Sequence, residues 1–127
     1  MMEKIIIESQ NAPAPIGPYN QAVLSGNTLY LSGQIAINPT NQEFEGGSIE
    51  EQAKRVMSNL KAVLKEADLG FENVVKSTIY VSDLNDFSTV NDIYGDYFIL
   101  NPPARETVQV AALPKGAKVE ISMIAVK

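Results

Sequence analysis

Residues 48–70 read SIEEQAKRVMSNLKAVLKEADLG, and residues 74–82 read VVKSTIYVS. In the first stretch Ile49, Ala53, Val56, Met57, Leu60, Val63, Leu64 and Ala67 recur at spacings of three and four. That period lines them up on one stripe of a helix and predicts a helix over 48–69. Ser48 and Glu51 have capping-box spacing, which marks the start. Gly70 supplies the stop. The second stretch is rich in β-branched residues and predicts a strand. Alternation places Val75, Ser77, Ile79 and Val81 on one of its faces, and Val74, Lys76, Thr78 and Tyr80 on the other.

Upstream, residues 4–8 predict a short strand. Residues 11–18, NAPAPIGP, hold three of the seven prolines and predict an extended connection. Residues 19–24 and 28–36 predict strands flanking Ser25-Gly26-Asn27, a hairpin signal. Residues 38–47 are polar, with Pro39 and the pair Gly46-Gly47, and predict a loop. Downstream, a second helix is expected over 86–99, with Phe87, Val90, Tyr94, Tyr97 and Phe98 on its apolar side and Pro102-Pro103 ending it. Residues 105–111 and 117–126 predict strands around a Leu113-Pro114-Lys115-Gly116 turn. The order β-ββ-α-β-α-ββ is α+β: one mixed sheet with two helices packed on one face, in a single domain over 1–127. Two helices cover only one side of a sheet. In the last strand Val119, Ile121, Met123 and Ala125 alternate with Glu120, Ser122, Ile124 and Val126. A face carrying Ile124 and Val126 should not stay in water, so other copies of the chain are expected to cover it.

The 127 residues fit one domain, and 45% apolar with 20% charged is ordinary for a globular protein. There is no cysteine, histidine or tryptophan. A Cys or Ser-His nucleophile, a Cys/His zinc site and a disulfide framework are thereby excluded. Any chemistry must use Arg, Lys, Asp, Glu, Tyr, Ser, Thr, backbone or water. The net charge of −5 disfavours a nucleic-acid partner, which needs a basic face. It leaves room for a small anionic ligand held by one well-placed arginine. No run approaches the ~18 apolar residues of a membrane span. The run Met1-Met2-Glu3-Lys4-Ile5-Ile6-Ile7 is too short for a signal peptide, so a cytoplasmic location is expected.

Five places hold residues that the fold alone explains poorly. Ile16-Gly17-Pro18-Tyr19-Asn20-Gln21 is either a rigid turn with a half-buried tyrosine or a cleft wall. Ser32-Gly33-Gln34 inside a strand spends β-propensity, which fits a β-bulge or the close approach of a backbone or ligand. Arg105 follows the rigid Pro102-Pro103 pair and shares a strand face with Thr107, with Val108 and Val110 opposite. It can clamp a carboxylate with both arms of its fork, or form a surface ion pair with Glu106. Glu120 is an acid in a mostly apolar strand, so it is paired, hydrogen-bonded or protonated there, or else faces water. Asn91, on the second helix, is a candidate polar contact or a solvated side chain.

The runs Ala14-Pro15-Ile16-Gly17-Pro18-Tyr19, Leu31-Ser32-Gly33-Gln34-Ile35 and Val90-Asn91-Asp92-Ile93-Tyr94 belong together with the long run from Pro103 through Ala104-Arg105-Glu106-Thr107 to Glu120-Ile121. In order and spacing, over essentially the whole chain, they resemble the RidA (YjgF) family of reactive-intermediate deaminases. The resemblance implies a chorismate-mutase-like α+β fold and a homotrimer with ligand clefts between subunits. It implies hydrolysis of enamine and imine intermediates, 2-aminoacrylate and 2-iminobutyrate, to 2-keto acids and ammonia, with no metal or organic cofactor. This is the activity of a 2-iminobutanoate/2-iminopropanoate deaminase, a hydrolase acting on C=N. By the same resemblance Arg105 holds the substrate carboxylate and Glu120 orients water, while Tyr19, Ser32, Gly33, Asn91 and Thr107 complete the substrate site. Many members have cysteine where this chain has Thr107, which rules out thiol chemistry and bears on substrate preference. Two alternatives from the same family are a non-catalytic trimer that binds small acids, and an endoribonuclease (L-PSP) or translation inhibitor. The acidic balance and the lack of histidine weigh against the last.

Overall fold

The computed structural model describes residues 3–127; Met1 and Met2, the start of the N-terminal run, lie outside the described residues. In chain order the elements are β1 (Lys4–Ile7), β2 (Ala22–Ser25), β3 (Thr28–Gln34), β4 (Ile37–Asn38), β5 (Glu43–Phe44), α1 (Ile49–Glu66), β6 (Val74–Val81), α2 (Phe87–Gly95), β7 (Ala104–Gln109) and β8 (Val119–Val126). Six strands form one sheet in the order β1-β2-β3-β8-β6-β7, and β4 pairs with β5 apart from it. All pairings in the large sheet are antiparallel except β6 with β7. The class is the expected mixed α+β, with a mostly antiparallel sheet.

Helix α1 starts where the capping box requires. Ser48 Oγ accepts from the Glu51 N–H at 3.2 Å, and Glu51 Oε1 accepts from the Ser48 N–H at 3.3 Å. It does not end by way of Gly70, as the sequence suggested. Asp68 takes the left-handed conformation, φ 58°, and the N–H groups of Asp68 and Leu69 reach back to Lys65 O and Leu64 O. This Schellman arrangement satisfies the last carbonyls two residues before the glycine. The apolar stripe of α1 buries Val56, Met57, Leu60, Val63 and Leu64 against Leu29, Ile79, Val81, Val119 and Ile121 of the sheet. Fully burying each such side chain is worth about 1.5–3 kcal/mol, so this seam dominates folding.

Several assignments differ from expectation; strands β3, β7 and β8, for instance, end or begin up to two residues from the expected bounds. Helix α2 stops at Gly95 rather than Ile99, because Tyr97 and Phe98 turn back to meet Phe71 edge-on at 5.2 and 5.4 Å. Residues 38–47 are not wholly loop, since they include most of the β4–β5 pair. Strand β2 starts at Ala22, not Tyr19. In β6 a register irregularity between Val74 and Lys76 turns Val74 to the core and leaves Val75 outside. Such a bulge reverses the alternation at one point only, so Ser77, Ile79 and Val81 share a face as expected, and that face is the inner one.

The last two strands are not neighbours. Strand β7 lies parallel to β6 at the sheet edge, with Ser77 opposite Arg105 and Ile79 opposite Thr107. Strand β8 returns between β3 and β6. The helix-free face carries a cross-strand row of Ile6, Val23, Tyr30 and Ile124. Tyr30 and Ile6 are about half exposed there, at 51% and 45%.

Three buried carboxamides tie irregular segments to this frame. Gln21 accepts from Ser9 N–H and donates to Ser9 O, Ala12 O and Pro13 O. Gln52 donates to Gly47 O and accepts from Lys118 N–H, both at 2.9 Å. Asn59 donates to Ile35 O and Ile37 O, while its own oxygen is buried without a partner. Backbone groups left unpaired in the interior cost about 1–3 kcal/mol each. Gln21→Ala should therefore lower the unfolding free energy by about 3 kcal/mol in urea titrations, whereas Gln10→Ala, on an exposed neighbour, should change it by less than about 0.5 kcal/mol.

Candidate functional site

Strand β3 breaks its pairing with β8 between Leu31 and Gln34, so Ser32 and Gly33 sit on a bulge. The bulge makes room for Glu120. A methyl group on Gly33 would stand 2.8 Å from Glu120 Cδ and closer still to Oε2. The sequence reading allowed a bulge or a close approach at Gly33; both occur, and the group that approaches is a carboxyl of the same chain. The tightness at Gly33 comes from that contact and not from a left-handed backbone.

Around this carboxyl lies a cavity of about 400 Å³. Tyr19, Ser32, Gly33 and Glu120 line it, together with Pro13, Ile16, Ile35, Ile37 and Pro114. Tyr19 reaches it by a tight turn in which its N–H donates to Gly17 O at 2.8 Å, and its hydroxyl accepts from Ile16 N–H at 3.3 Å. The Ser32 hydroxyl donates to Asn20 O at 2.6 Å, which leaves its lone pairs for a ligand. Glu120 is the one ionisable acid or base on the wall apart from the Tyr19 phenol. Burial pushes its pKa up from the ordinary value of 4.5. Among the described residues Glu120 makes no ion pair, and desolvation favours its protonated form.

Arg105, Thr107 and Asn91 are not in this cavity. Register explains why. Tyr80 lies opposite Glu120 and Ser77 lies opposite Arg105; these two positions of β6 differ by an odd step, so Glu120 and Arg105 leave opposite faces of the sheet. Arg105 stands on the helix side, its guanidinium carbon 5.1 Å from the Tyr94 ring centre and 5.6 Å from that of Phe87. Asn91 lies between those two on α2, four residues after Phe87 and three before Tyr94. Thr107 follows on the same face of β7, half-buried, its hydroxyl enclosed and without a partner. Arg105 makes no ion pair among the described residues. Glu106, offered by the sequence as its partner, faces the other way and binds Lys76 at 3.2 Å and Thr78 at 2.9 Å. Those contacts hold the Glu106 carboxyl below its usual range, the Thr78 hydrogen bond first. The second arginine, Arg55, is paired to Glu45 at 2.8 Å.

The chain thus carries two separate features: a cavity holding a carboxyl on one face of the sheet and, on the other, a cation among aromatic rings with no ion pair among the described residues. The sequence reading missed Pro114, Ile35 and Ile37 as walls of the first, and Phe87 and Tyr94 as the setting of the second. Only the spacing of Phe87, Asn91 and Tyr94 carried a signal, and it was absorbed by the helix's apolar side. Among the described residues no group of three or more His, Cys, Asp or Glu could hold a metal ion, and no helix is long and apolar enough to cross a membrane.

Residues 9–127 match the family model described as endoribonuclease L-PSP. The chain is 51% identical over 122 residues to a bovine (Bos taurus) protein named 2-iminobutanoate/2-iminopropanoate deaminase, covering 96% of this chain and 89% of that one. It is 53% identical over 127 residues to protein DfrA of Myxococcus xanthus, covering 98% and 97%. Among solved structures it superposes on YyfA of Yersinia pestis, a protein of the conserved Rid family, with a TM-score of 0.96, 48% identity and coverage of 98% and 100%. An α+β chain with this match along nearly its whole length belongs to the Rid (YjgF) family, also called the endoribonuclease L-PSP family.

Moving the Glu120 carboxyl needs only one methyl group. Gly33→Ala should leave the melting temperature within a few degrees, since the far end of a flexible side chain can yield. It should drive that carboxyl toward solvent, and side-chain carboxyl NMR should then show the Glu120 pKa falling back toward 4.5.

Proposed function

We propose that this chain is a hydrolase that deaminates 2-imino acids, such as 2-iminobutyrate and tautomers of 2-aminoacrylate, to 2-keto acids and ammonia. It acts as a homotrimer in the cytoplasm, with the Arg105 half-site of one protomer closing the Glu120 half-site of the next, and needs no cofactor and no nucleic-acid partner. The observation that carries this reading is the division of charge between the two faces. A cavity whose only strong charge is a carboxyl repels a small acid, and Arg105 is an unpaired fork that one protomer cannot bring to it. A second copy docked on the apolar row of Ile6, Val23, Tyr30 and Ile124 would remove that face from water and can bring the two halves together. The bovine relative's name supports the reaction, whereas DfrA and the family description leave the chemistry wider.

The steps balance without an added reactant. Arg105 holds the substrate carboxylate with two N–H groups and so fixes the C=N carbon. Glu120 takes a proton from water as its oxygen bonds to that carbon, giving a carbinolamine. The proton passes to nitrogen; Glu120 then takes the hydroxyl proton of the carbinolamine and hands it to the same nitrogen, the C–N bond breaks, ammonia leaves and the C=O of the 2-keto acid forms. Desolvation makes Glu120 a stronger base than an ordinary glutamate, which suits it to this work near neutral pH. Tyr19, Ser32 and the backbone at Gly33 form the wall facing the substrate, and Asn91 and Thr107 flank Arg105.

An amino-acid oxidase that generates the imine, coupled to keto-acid detection, tests this. Arg105→Ala should lower hydrolysis about 100-fold while light scattering still reports a trimer. Mixed trimers of Arg105→Ala and Glu120→Gln, assembled at random, should regain about a quarter of wild-type activity, because one site in four then has both residues intact. No recovery would place the site within one protomer. The working form of Glu120 is ionised, so kcat/KM should fall as pH drops through its raised pKa. That acid limb should lie above 4.5 and vanish in Glu120→Gln.

A further inference from the structure

We propose that Tyr94, fixed by Ser77, is a positioning residue that seats the Arg105 guanidinium by cation–π contact and so keeps its N–H groups free for an anion. The contribution to catalysis rests on the deaminase reading; the seat itself does not.

A half-buried arginine without an acidic partner must be held by something else, or its long side chain spreads over many rotamers. Here two aromatic rings hold it. The attraction between a guanidinium and a ring face acts through the plane of the cation and occupies none of its five N–H donors. A carboxylate partner would orient the fork equally well, but would neutralise it and fill the positions that an incoming carboxylate needs. The two rings differ. Phe87 is 40% exposed, whereas Tyr94 is 5% exposed and locked on every side. The Tyr94 hydroxyl donates to Ser77 Oγ at 3.0 Å, and its ring packs on Phe98 at 4.6 Å. Burial raises the Tyr94 pKa, while the Ser77 bond and the nearby Arg105 charge draw it down, so the phenol stays neutral at physiological pH.

The anchor and the cation share one reference. Ser77 is the residue of β6 directly opposite Arg105 in the parallel β6–β7 ladder. The backbone pairing that places Arg105 therefore also places the hydroxyl that holds Tyr94. Ser77 is fully buried, and a serine among Ile79, Val81 and Met123 is explained by this bond rather than by packing.

The chain has two arginines, Arg55 and Arg105, so ¹⁵N-labelled protein gives two Nε–H signals, and Arg105→Lys assigns them. The wild-type Arg105 Nε–H proton should lie upfield of the Arg55 signal through the ring currents of Tyr94 and Phe87. Tyr94→Leu should return it to the unperturbed position. Tyr94→Phe and Ser77→Ala, which keep the ring and the fold, should shift it part of the way. Calorimetry with 2-ketobutyrate should show Kd rising about tenfold in Tyr94→Leu and about threefold in Tyr94→Phe. The Glu120 acid limb should stay in place, which a general loosening of the site would not allow. A wild-type Nε–H signal at the unperturbed position, or one unmoved by Ser77→Ala and Tyr94→Phe as well as by Tyr94→Leu, overturns the seat even if imine hydrolysis is found. A signal that responds as expected in a protein that neither binds 2-ketobutyrate nor hydrolyses imines supports the seat and overturns the deaminase reading.

Discussion

Ile121 stands opposite Gln34 on one side of β8 and opposite Ile79 on the other. That double register fixes which residues of the central strand look inward, and both Glu120 and Arg105 inherit their direction from it. With Val119, Ile121, Met123 and Ala125 committed to the core, Glu120 has no choice but the outer face. The same register, passed through β6 to β7, turns Arg105 toward α2. A slip of one residue would carry a carboxyl into the helix interface and expose four apolar side chains, so the pairing is strongly enforced. The placement of Glu120 and Arg105 on opposite faces is thus a by-product of the energetics of the core.

Helix α1 reaches the cavity without touching the proposed reaction. Its apolar stripe packs on the sheet, and two polar residues within that buried surface, Gln52 and Asn59, satisfy backbone groups of Lys118, Ile35 and Ile37. These segments have few ladder hydrogen bonds of their own, and they form or adjoin the cavity wall. Gln21 does the same for the proline-rich segment on the opposite side. Regular structure supplies the rigidity, and single amides carry it outward into the irregular loops.

Local signals were legible in the residues; relations between distant strands were not. The stripe and capping box of α1 were readable because both are short-range. Its end was not, since a left-handed aspartate carries no strong sequence mark. The faces of Val74 and Val75 were assigned wrongly because a bulge interrupts the period, and nothing in VVKS announces one. Arg105 and Thr107 were correctly placed on one face of their strand. That Glu120 occupies the opposite side could be read only once β6 was known to lie between β7 and β8. Gly33 was marked as a close-approach position, yet the approaching atom came from 87 residues further on. Gln21 was named within the Ile16–Gln21 segment but given no role, since glutamine is usually a surface residue.

The choice of amides for the cavity frame has a chemical corollary. Gln21, Gln52 and Asn59 neither gain nor lose a proton across the biological pH range. Carboxylates in the same places would tie the shape of the walls to acidity, and the scaffold would deform together with the group it surrounds. Because these three amides are neutral, protonating Glu120 breaks none of the hydrogen bonds they make to the surrounding backbone, so the cavity can lose its charge while those ties hold its outline.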